Sequence, residues 1–215
     1  MAHVWHTVED VPAAFAALLA DRSPGSIALS GGDTARDCYE AAARGSVDWS
    51  STAFWFGDER FVPVTDADSN EGMARAVWLD RVPVGSVHSM TGAAPGGDIE
   101  ATAAAYEDAL RGATPLDVVH LGLGPDGHTA SLFPGSASLD VTDRWVIPAG
   151  DAEHPHPRLT FTYAAIAAAR TVVVTVAGAG KRDALARVRA GDATAPAARV
   201  EAAEVVWLVD AAAAG

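Results

Sequence analysis

The sequence contains a single cysteine, Cys38, in 215 residues. One thiol cannot form an intrachain disulfide or a cysteine-built metal site, so the chain fits a reducing compartment and we expect a cytoplasmic location. Basic residues are also few, because 15 Lys and Arg stand against 28 Asp and Glu, a formal net charge of -13. This charge argues against nucleic acid or an anionic membrane as a partner. Any bound anion therefore needs a local cationic pocket.

Long apolar runs are absent as well. The alanine-rich stretch 164–169 is far shorter than the apolar segment that a bilayer requires, so we expect no transmembrane helix and no membrane association. Residues 1–6 lack a basic stretch followed by an apolar run, so no signal peptide is expected. The remaining composition, with 49% apolar and 20% charged residues, is that of a globular chain with a substantial core.

Short apolar runs alternate with segments of helical periodicity along the chain. Strands are predicted at residues 26–30, 53–57, near 87, 118–123, 145–147, 171–176 and 205–209. Helices are predicted at residues 11–20, 34–44, 69–80, 99–111 and 181–189. This alternation is typical of an α/β fold with a mostly parallel sheet flanked by helices on both faces. We expect one domain over residues 1–215, with a small subdomain around 135–165 as the alternative.

The most informative segment is the loop that follows the strand 118–123 and contains Asp126-Gly127-His128. In open parallel sheets, ligands bind beyond the carboxyl ends of the strands, which is where this loop is placed. Asp126 can orient the imidazole of His128 or bind a substrate hydroxyl, and His128 is then a candidate general base. On the pattern alone, a glycine turn with a surface histidine is an equally good interpretation.

A second loop, Ser30-Gly31-Gly32-Asp33-Thr34, joins a predicted strand to a predicted helix. The free amides and the dipole at a helix N-terminus favour a phosphate, so Ser30, Gly31 and Gly32 form a candidate phosphate cradle. The alternative is an ordinary turn in which Asp33 or Thr34 caps the helix. Asp33 would repel a phosphate unless its carboxylate points away, caps the helix or binds a hydroxyl.

Basic residues beyond other strand ends are further candidates for binding an anion. Arg60 follows two acidic residues in a segment, 58–68, that we expect to be a loop; its forked donor suits phosphate, although a solvated charged turn is the simpler interpretation. A cap at Asp68 or Ser69 explains part of the polar cluster that follows. Lys181 begins a predicted helix, where the dipole disfavours a cation unless an anion is bound; a solvated lysine is the alternative.

Four other histidines carry no predicted catalytic or metal-binding role. His120 and His88 lie in or near buried strands, so we expect them to be packed and hydrogen-bonded rather than catalytic. His154 and His156 alternate with prolines, and two histidines without a carboxylate at helical spacing make a poor metal site.

Taken in order, these segments resemble the 6-phosphogluconolactonases, within a wider group of sugar-phosphate isomerases and deaminases that share a Rossmann-like α/β fold. The resemblance covers most of the chain. It rests on Leu29-Ser30-Gly31-Gly32 with Thr34, Gly57-Asp58-Glu59-Arg60 with Val62-Pro63, Asp68-Ser69-Asn70, residues 122–134, Pro157-Arg158-Leu159-Thr160 and Gly180-Lys181. Asp33 and Ala35 depart from the family pattern, which usually has a small polar residue and a proline there.

The resemblance implies hydrolysis of 6-phospho-D-glucono-1,5-lactone to 6-phosphogluconate in the oxidative pentose phosphate pathway, without a cofactor or a metal. It implies that His128 takes a proton from the water that attacks the lactone carbonyl, and that Asp126 and Asn70 contact or orient the reacting groups. The phosphate would be bound by the 30–32 turn and by three cations, namely Arg60, Arg158 and Lys181. The partner would be the small phosphosugar lactone, and the protein a monomer or a weak homodimer.

Two other functions are compatible with such a fold. The related deaminases have a glutamate five residues after the histidine and usually a tyrosine after the acid pair, whereas this sequence has Phe133 and Arg60 at those positions. Both differences favour the lactonase. A non-enzymatic sugar-phosphate sensor is the other alternative, but such a protein normally carries a DNA-binding module, and the sequence predicts no N-terminal helix-turn-helix.

Overall fold

The computed structural model describes residues 2–93, 96–150 and 155–215. The strands are β1 (Ala2–Val8), β2 (Ser26–Leu29), β3 (Trp49–Phe56), β4 (Asp58–Arg60), β5 (Val84–Val87), β6 (Val118–Gly122), β7 (Val146–Ala149), β8 (Arg158–Phe161), β9 (Thr171–Val176) and β10 (Glu204–Asp210). The α-helices are α1 (Val11–Arg22), α2 (Asp33–Arg44), α3 (Asn70–Ala74), α4 (Ile99–Ala113), α5 (Tyr163–Ala167), α6 (Arg182–Arg189) and α7 (Ala211–Ala214). A π-helical turn (Arg75–Leu79) continues α3, and a 3₁₀ turn (Ala179–Lys181) precedes α6.

Seven strands form a parallel sheet in the order β1-β10-β9-β6-β2-β3-β5. The chain builds outward from β2 to β3 and β5 on one side, and then returns to place β6, β9 and β10 on the other side. The direction of growth therefore reverses between β2 and β6. At such a switch point, the connections that leave the two neighbouring strands diverge and open a crevice between them.

Two neighbouring residues of β3 show that both faces of this sheet are covered. Phe54 packs against Trp78 of the π-helical turn, with 5.1 Å between ring centroids, whereas Trp55 packs against Tyr106 of α4 at 5.6 Å. Successive side chains of a strand point to opposite faces, so the π-helical turn and α4 lie on opposite faces of the sheet. The predicted fold class, a mostly parallel sheet flanked by helices, is confirmed.

A second, antiparallel sheet has the order β4-β8-β7. Gly57 joins it to the main sheet, because its amide donates to the carbonyl of Leu29 (2.8 Å) and its carbonyl accepts from the amide of Phe161 (2.7 Å). The prediction of a loop from residue 58 is therefore wrong for Asp58–Arg60. Three charged residues carry no apolar signal for a strand, and their partner strand lies far along the chain. This sheet takes β7 and β8 from the segment 135–165 but β4 from outside it, and the division into domains stays a prediction.

Other boundaries differ more modestly. The predicted helix 69–80 is α3 followed by the π-helical turn, and Ser69 is its cap, since its hydroxyl accepts from the amide of Gly72 (3.0 Å). The sequence analysis did not predict β1, an edge strand with mixed polar and apolar residues, and it did not predict β8 or the short helices α5 and α7. No helix within the described ranges combines the length and apolar character needed to cross a bilayer.

Candidate active site

A cleft of about 190 Å³ opens at the switch point between β2 and β6. It is lined by segments that follow β2, β6 and β9, by β4 and β8 of the second sheet, and by the start of α3. The predicted site residues that line it are Ser30, Gly31, Gly32, Arg60, Asn70, His128, Arg158 and Lys181. The remaining predicted residue, Asp126, contacts His128. The fold thus brings together residues that lie up to 151 positions apart in the sequence.

His128 and Asp126 form a hydrogen-bonded pair at the rim of the cleft. Nδ1 of His128 lies 2.6 Å from Oδ1 of Asp126, and the same oxygen accepts from the backbone amide of His128 at 3.1 Å. Partial burial opposes ionisation of Asp126, but the hydrogen bonds and charge of His128 outweigh it and hold the pKa of Asp126 below its ordinary value. An ionised carboxylate only accepts hydrogen bonds, so Nδ1 carries the proton and Nε2 is left as the basic nitrogen.

The loop that carries this pair is fixed from two directions. Within the loop, the amide of Gly124 donates to the carbonyl of His128 at 2.8 Å. From outside, the guanidinium of Arg187 on α6 donates to the carbonyl of Asp126 at 3.0 Å, and the amide of Ala197 donates to the carbonyl of Gly127 at 3.0 Å. The imidazole is therefore presented by a braced loop rather than by a free surface turn.

The turn after β2 places the N-terminus of α2 at the cleft. Gly32 is the N-cap residue of α2, and no side chain caps it within the described part of the chain. The alternative in which Asp33 or Thr34 caps the helix is therefore wrong, and the first amides of α2 are left for another acceptor. Asp33 is an exposed residue of the first turn whose charge acts on Lys181.

Asn70 closes one side of this turn. A β-carbon at Gly31 would lie 1.9 Å from Oδ1 of Asn70, so the two residues are in direct contact. The side chain of Asn70 donates to the carbonyl of Asp58 at 2.9 Å. The backbone amide of Asn70 donates to the buried carboxylate of Glu59 at 2.7 Å, and Glu59 also accepts from the backbone amide of Glu71 at 2.7 Å. Glu59 thereby ties the start of α3 to the second sheet and fixes where Asn70 lies.

The second sheet contributes two arginines to the cleft as a direct cross-strand pair. In the antiparallel register of β4 and β8, Arg60 lies opposite Arg158. Residues directly opposite on antiparallel strands have β-carbons about 5 Å apart and share one face of the sheet. Arg158 is only 9% exposed, and its guanidinium carbon lies 5.6 Å from the ring centre of Phe133. Two arginines from neighbouring strands thus line the same cleft.

Lys181 completes the cationic side of the cleft. It is the last residue of the 3₁₀ turn after β9. The helix α6 begins at Arg182, one residue later than predicted. Burial lowers the pKa of Lys181, and the negative charges of Asp126 and Asp33 oppose this effect. The lysine is therefore half-buried among acidic neighbours rather than fully solvated.

Asp58 is a cleft residue that the site prediction omitted. It is 5% exposed, and its carboxylate accepts from the hydroxyl of Ser131 at 2.8 Å. Its signal in the sequence was its place directly after a buried strand and Gly57, in an acidic pair that reads equally well as a solvated turn. Only the pairing of β4 with β8 turns it into the cleft.

His120 and His88 have the packed, hydrogen-bonded surroundings that were expected of them. His120 is fully buried and hydrogen-bonded on both ring nitrogens, and His88 stacks on Trp55 with 3.8 Å between ring centroids. His156 pairs with Asp68 at 2.9 Å, while His154 lies outside the described residues. Across the ranges described, no cluster of three or more His, Cys, Asp or Glu side chains is arranged to bind a metal ion.

Known proteins are similar to this chain in sequence and in fold. A family model described as glucosamine-6-phosphate isomerases/6-phosphogluconolactonase matches residues 2–207. A 6-phosphogluconolactonase of Synechocystis sp. is 44% identical over 206 residues, covering 89% of this chain and 84% of that protein. One of Streptomyces coelicolor is 39% identical, covering 91% and 83%. The crystal structure of a 6-phosphogluconolactonase from Thermotoga maritima superposes with a TM-score of 0.83 at 28% identity, covering 97% of this chain and all of that one.

Both the match to the family model and the identity to the relatives extend over nearly the whole chain. The segments that line the cleft all fall inside the matched range. The chain therefore belongs to the glucosamine-6-phosphate isomerase/6-phosphogluconolactonase family, and within it to the 6-phosphogluconolactonases.

Proposed function

We propose that this protein hydrolyses 6-phospho-D-glucono-1,5-lactone to 6-phosphogluconate, with His128 as the general base. The reaction needs no metal or cofactor, and it serves the oxidative pentose phosphate pathway in the cytoplasm. The phosphosugar lactone is its only proposed partner, and we propose that the protein acts as a monomer or a weak homodimer. The proposal deepens what family membership establishes, which is that the chain is a lactone-hydrolysing enzyme.

The observation that carries the proposal is the pairing of Arg60 with Arg158 in the cleft that also contains His128. Two guanidinium groups that come from directly opposite positions of antiparallel strands share one face of the sheet, so both are directed to the same side of it. The buried Nε of Arg60 has no hydrogen-bond partner among the described residues. Guanidinium groups bind phosphate through paired hydrogen bonds, so this end of the cleft suits the phosphate of a sugar.

Two other features of the cleft also favour the binding of a phosphate. The uncapped N-terminus of α2 offers backbone amides, and a helix N-terminus favours an anion. Lys181 adds a cation whose desolvation a bound phosphate would offset. Together these groups provide the local cationic pocket that a protein of net charge -13 needs to bind an anion.

The histidine pair accounts for the chemistry. Nε2 of His128 takes a proton from water as the water oxygen bonds to the lactone carbonyl carbon, and Asp126 stabilises the resulting imidazolium. The tetrahedral intermediate then collapses by breaking the bond to the ring oxygen, which receives the proton from the imidazolium. A lactone is an activated ester and its leaving oxygen stays tethered in the product, so one base and good positioning suffice.

The contacts of Phe133 favour the lactonase over a deaminase. Its ring lies 4.9 Å from the ring of His128 and is 4% exposed. The resemblance places a glutamate of the deaminases at this position, and an apolar ring cannot transfer protons between substrate carbons. His128 is left as the proton-transferring group of its loop.

The test is a hydrolysis assay with phosphorylated and unphosphorylated gluconolactone, corrected for spontaneous ring opening. We expect saturable hydrolysis of the phosphorylated lactone with a kcat/KM at least about 100-fold higher than for the unphosphorylated one, since paired charge-assisted hydrogen bonds would be lost. Equal rates for the two lactones would refute the phosphate site. Binding of the phosphorylated lactone without turnover would indicate a sensor.

A further inference from the structure

We infer that the buried hydroxyl of Tyr39 is a positioning group for the 30–32 turn and sets the affinity for the phosphate end of the substrate without touching it. The inference rests on the proposed function, in which that turn binds the phosphate. It concerns a polar chain of three side chains beneath the cleft, namely Tyr39, His120 and Thr175.

Tyr39 satisfies both backbone groups of Ser30. The amide of Ser30 donates to the Tyr39 hydroxyl at 2.6 Å, and that hydroxyl lies 3.2 Å from the carbonyl of Ser30. Strand β2 ends at Leu29, so the sheet no longer supplies partners for Ser30. Buried backbone groups must find partners, and here one hydroxyl from α2 provides them. The turn that opens the cleft is therefore held in place from below.

The polar chain continues under the cleft to a second lining residue. The hydroxyl of Tyr39 lies 2.8 Å from Nδ1 of His120, and Nε2 of His120 lies 2.9 Å from the hydroxyl of Thr175, which lines the cleft. Complete burial lowers the pKa of His120 to about 3. The neutral ring has one donor and one acceptor nitrogen, so every member of the polar chain can be satisfied. The polar chain thus links the end of β2 to β6 and β9, and it holds two lining residues of the cleft, Ser30 and Thr175, in position relative to each other.

The neighbouring strand provides a matched control. Tyr106 on α4 binds the last residue of β3 in the same way, since its hydroxyl accepts from the amide of Phe56 at 2.8 Å and lies 3.3 Å from the carbonyl of Phe56. Both tyrosines are no more than 1% exposed. Ser30 lines the cleft, whereas Phe56 is not among the described residues that do so. Removal of either hydroxyl therefore makes the same chemical change, but only one change reaches the 30–32 turn directly.

The experiment compares Tyr39→Phe with Tyr106→Phe, using 6-phosphogluconolactone and unphosphorylated gluconolactone as substrates. Loss of one hydrogen-bond partner should raise the KM of Tyr39→Phe for the phosphorylated lactone about three- to tenfold, with kcat changed by less than about twofold. We expect kcat/KM for the unphosphorylated lactone to stay at its wild-type value. In Tyr106→Phe, the ratio of kcat/KM between the two substrates should equal that of the wild type.

The outcomes separate this inference from the proposed function. If the wild-type protein does not prefer the phosphorylated lactone, the proposed phosphate site itself is refuted. A wild-type preference that Tyr39→Phe leaves unchanged, or an equal loss for both substrates, overturns only the positioning role. If Tyr39→Phe does not fold, His120→Leu removes the ring that anchors the hydroxyl. We then expect the same selective rise in KM, and an unchanged substrate ratio in that variant overturns the inference.

Discussion

The imidazole of His128 lies directly against the α-carbon of Gly124, because a β-carbon at position 124 would be 2.1 Å from Nδ1 of the ring. The same nitrogen makes the 2.6 Å hydrogen bond to Asp126. A side chain at position 124 and the oriented imidazole therefore cannot occupy the site together. The absence of a side chain at position 124 therefore leaves room for the hydrogen bond between His128 and Asp126.

We predict that Gly124→Ala displaces the ring from Asp126 and lowers kcat about 10- to 100-fold, the cost of one charge-assisted hydrogen bond. Steady-state kinetics with the phosphorylated lactone measure the effect. Gly112→Ala is the control, since a β-carbon there meets nothing within 4 Å and its place in α4 favours alanine. A Gly124→Ala enzyme with wild-type kcat would show that the pair is not needed.

We predict that His128→Ala lowers kcat about 10²- to 10⁴-fold, the usual contribution of general-base catalysis, and leaves the fold intact. The side chain is 30% exposed, so its removal opens no closed cavity. Turnover and the circular dichroism spectrum measure the two effects. His6→Ala, an exposed histidine on the edge strand β1, is the matched control and should retain full activity. Near-normal turnover in His128→Ala would remove this residue from the role of base.

We predict that Lys181→Ala raises KM for the phosphorylated lactone about 10-fold or more, because a charge-assisted contact is lost. Arg182→Ala removes the next cation along the chain, whose guanidinium binds the carbonyl of Ala212 at 3.1 Å, and should leave KM unchanged. Equal KM values for Lys181→Ala and the wild type would place the phosphate elsewhere.

The same site can be probed by chemical modification. Lys181 is the only lysine in the sequence, so an amine-selective reagent reacts with it and the amino terminus alone. We expect inorganic phosphate to slow modification of Lys181, measured by mass spectrometry of the peptide that contains it. Modification of the amino terminus provides the internal control, and equal protection of both amines would indicate a general salt effect.

We predict that the protein loses stability as the pH falls from about 6.5 towards 3, in part through His120. Burial lowers the pKa of this ring to about 3 in the folded protein, whereas a histidine in an unfolded chain has a pKa of about 6.5. Between these values the unfolded state binds more protons, so the stabilising contribution is complete above the upper value and declines below it. Urea unfolding at about pH 7 and about pH 5 measures the change.

His120→Gln is the comparison for this prediction, because glutamine does not titrate while the carboxylates of the two proteins are the same. Between the two pH values we expect the free energy of unfolding to fall less in the variant than in the wild type. The difference should correspond to about one proton taken up by the unfolded wild-type chain. Parallel pH dependence in the two proteins would show that the ring is not held neutral.

Much of the fold could be predicted because the signals are local. The β-branched run Thr171–Val176 and the glycine turns after the strands indicated a parallel sheet with loops at one edge, and the sheet has that form. The charged strand Asp58–Arg60 could not be predicted in this way, since the strand with which it pairs, Arg158–Phe161, lies far along the chain. The resemblance implied that Arg60 and Arg158 both bind the phosphate, but no sequence pattern predicted that they lie opposite each other, and the site prediction did not name Asp58.

The sequence by itself indicated candidate residues for proton transfer and anion binding, and it placed His128, the 30–32 turn and Lys181 beyond strand ends, because periodicity and glycine turns are encoded within a few neighbouring positions. Only the tertiary structure decided that Arg60 lies opposite Arg158, that Tyr39 holds Ser30, and that His128 rests against Gly124. The first depends on strand register, the second on how α2 packs against the end of β2, and the third on the conformation of the loop after β6. Periodicity and turn residues in the sequence do not predict any of these three contacts.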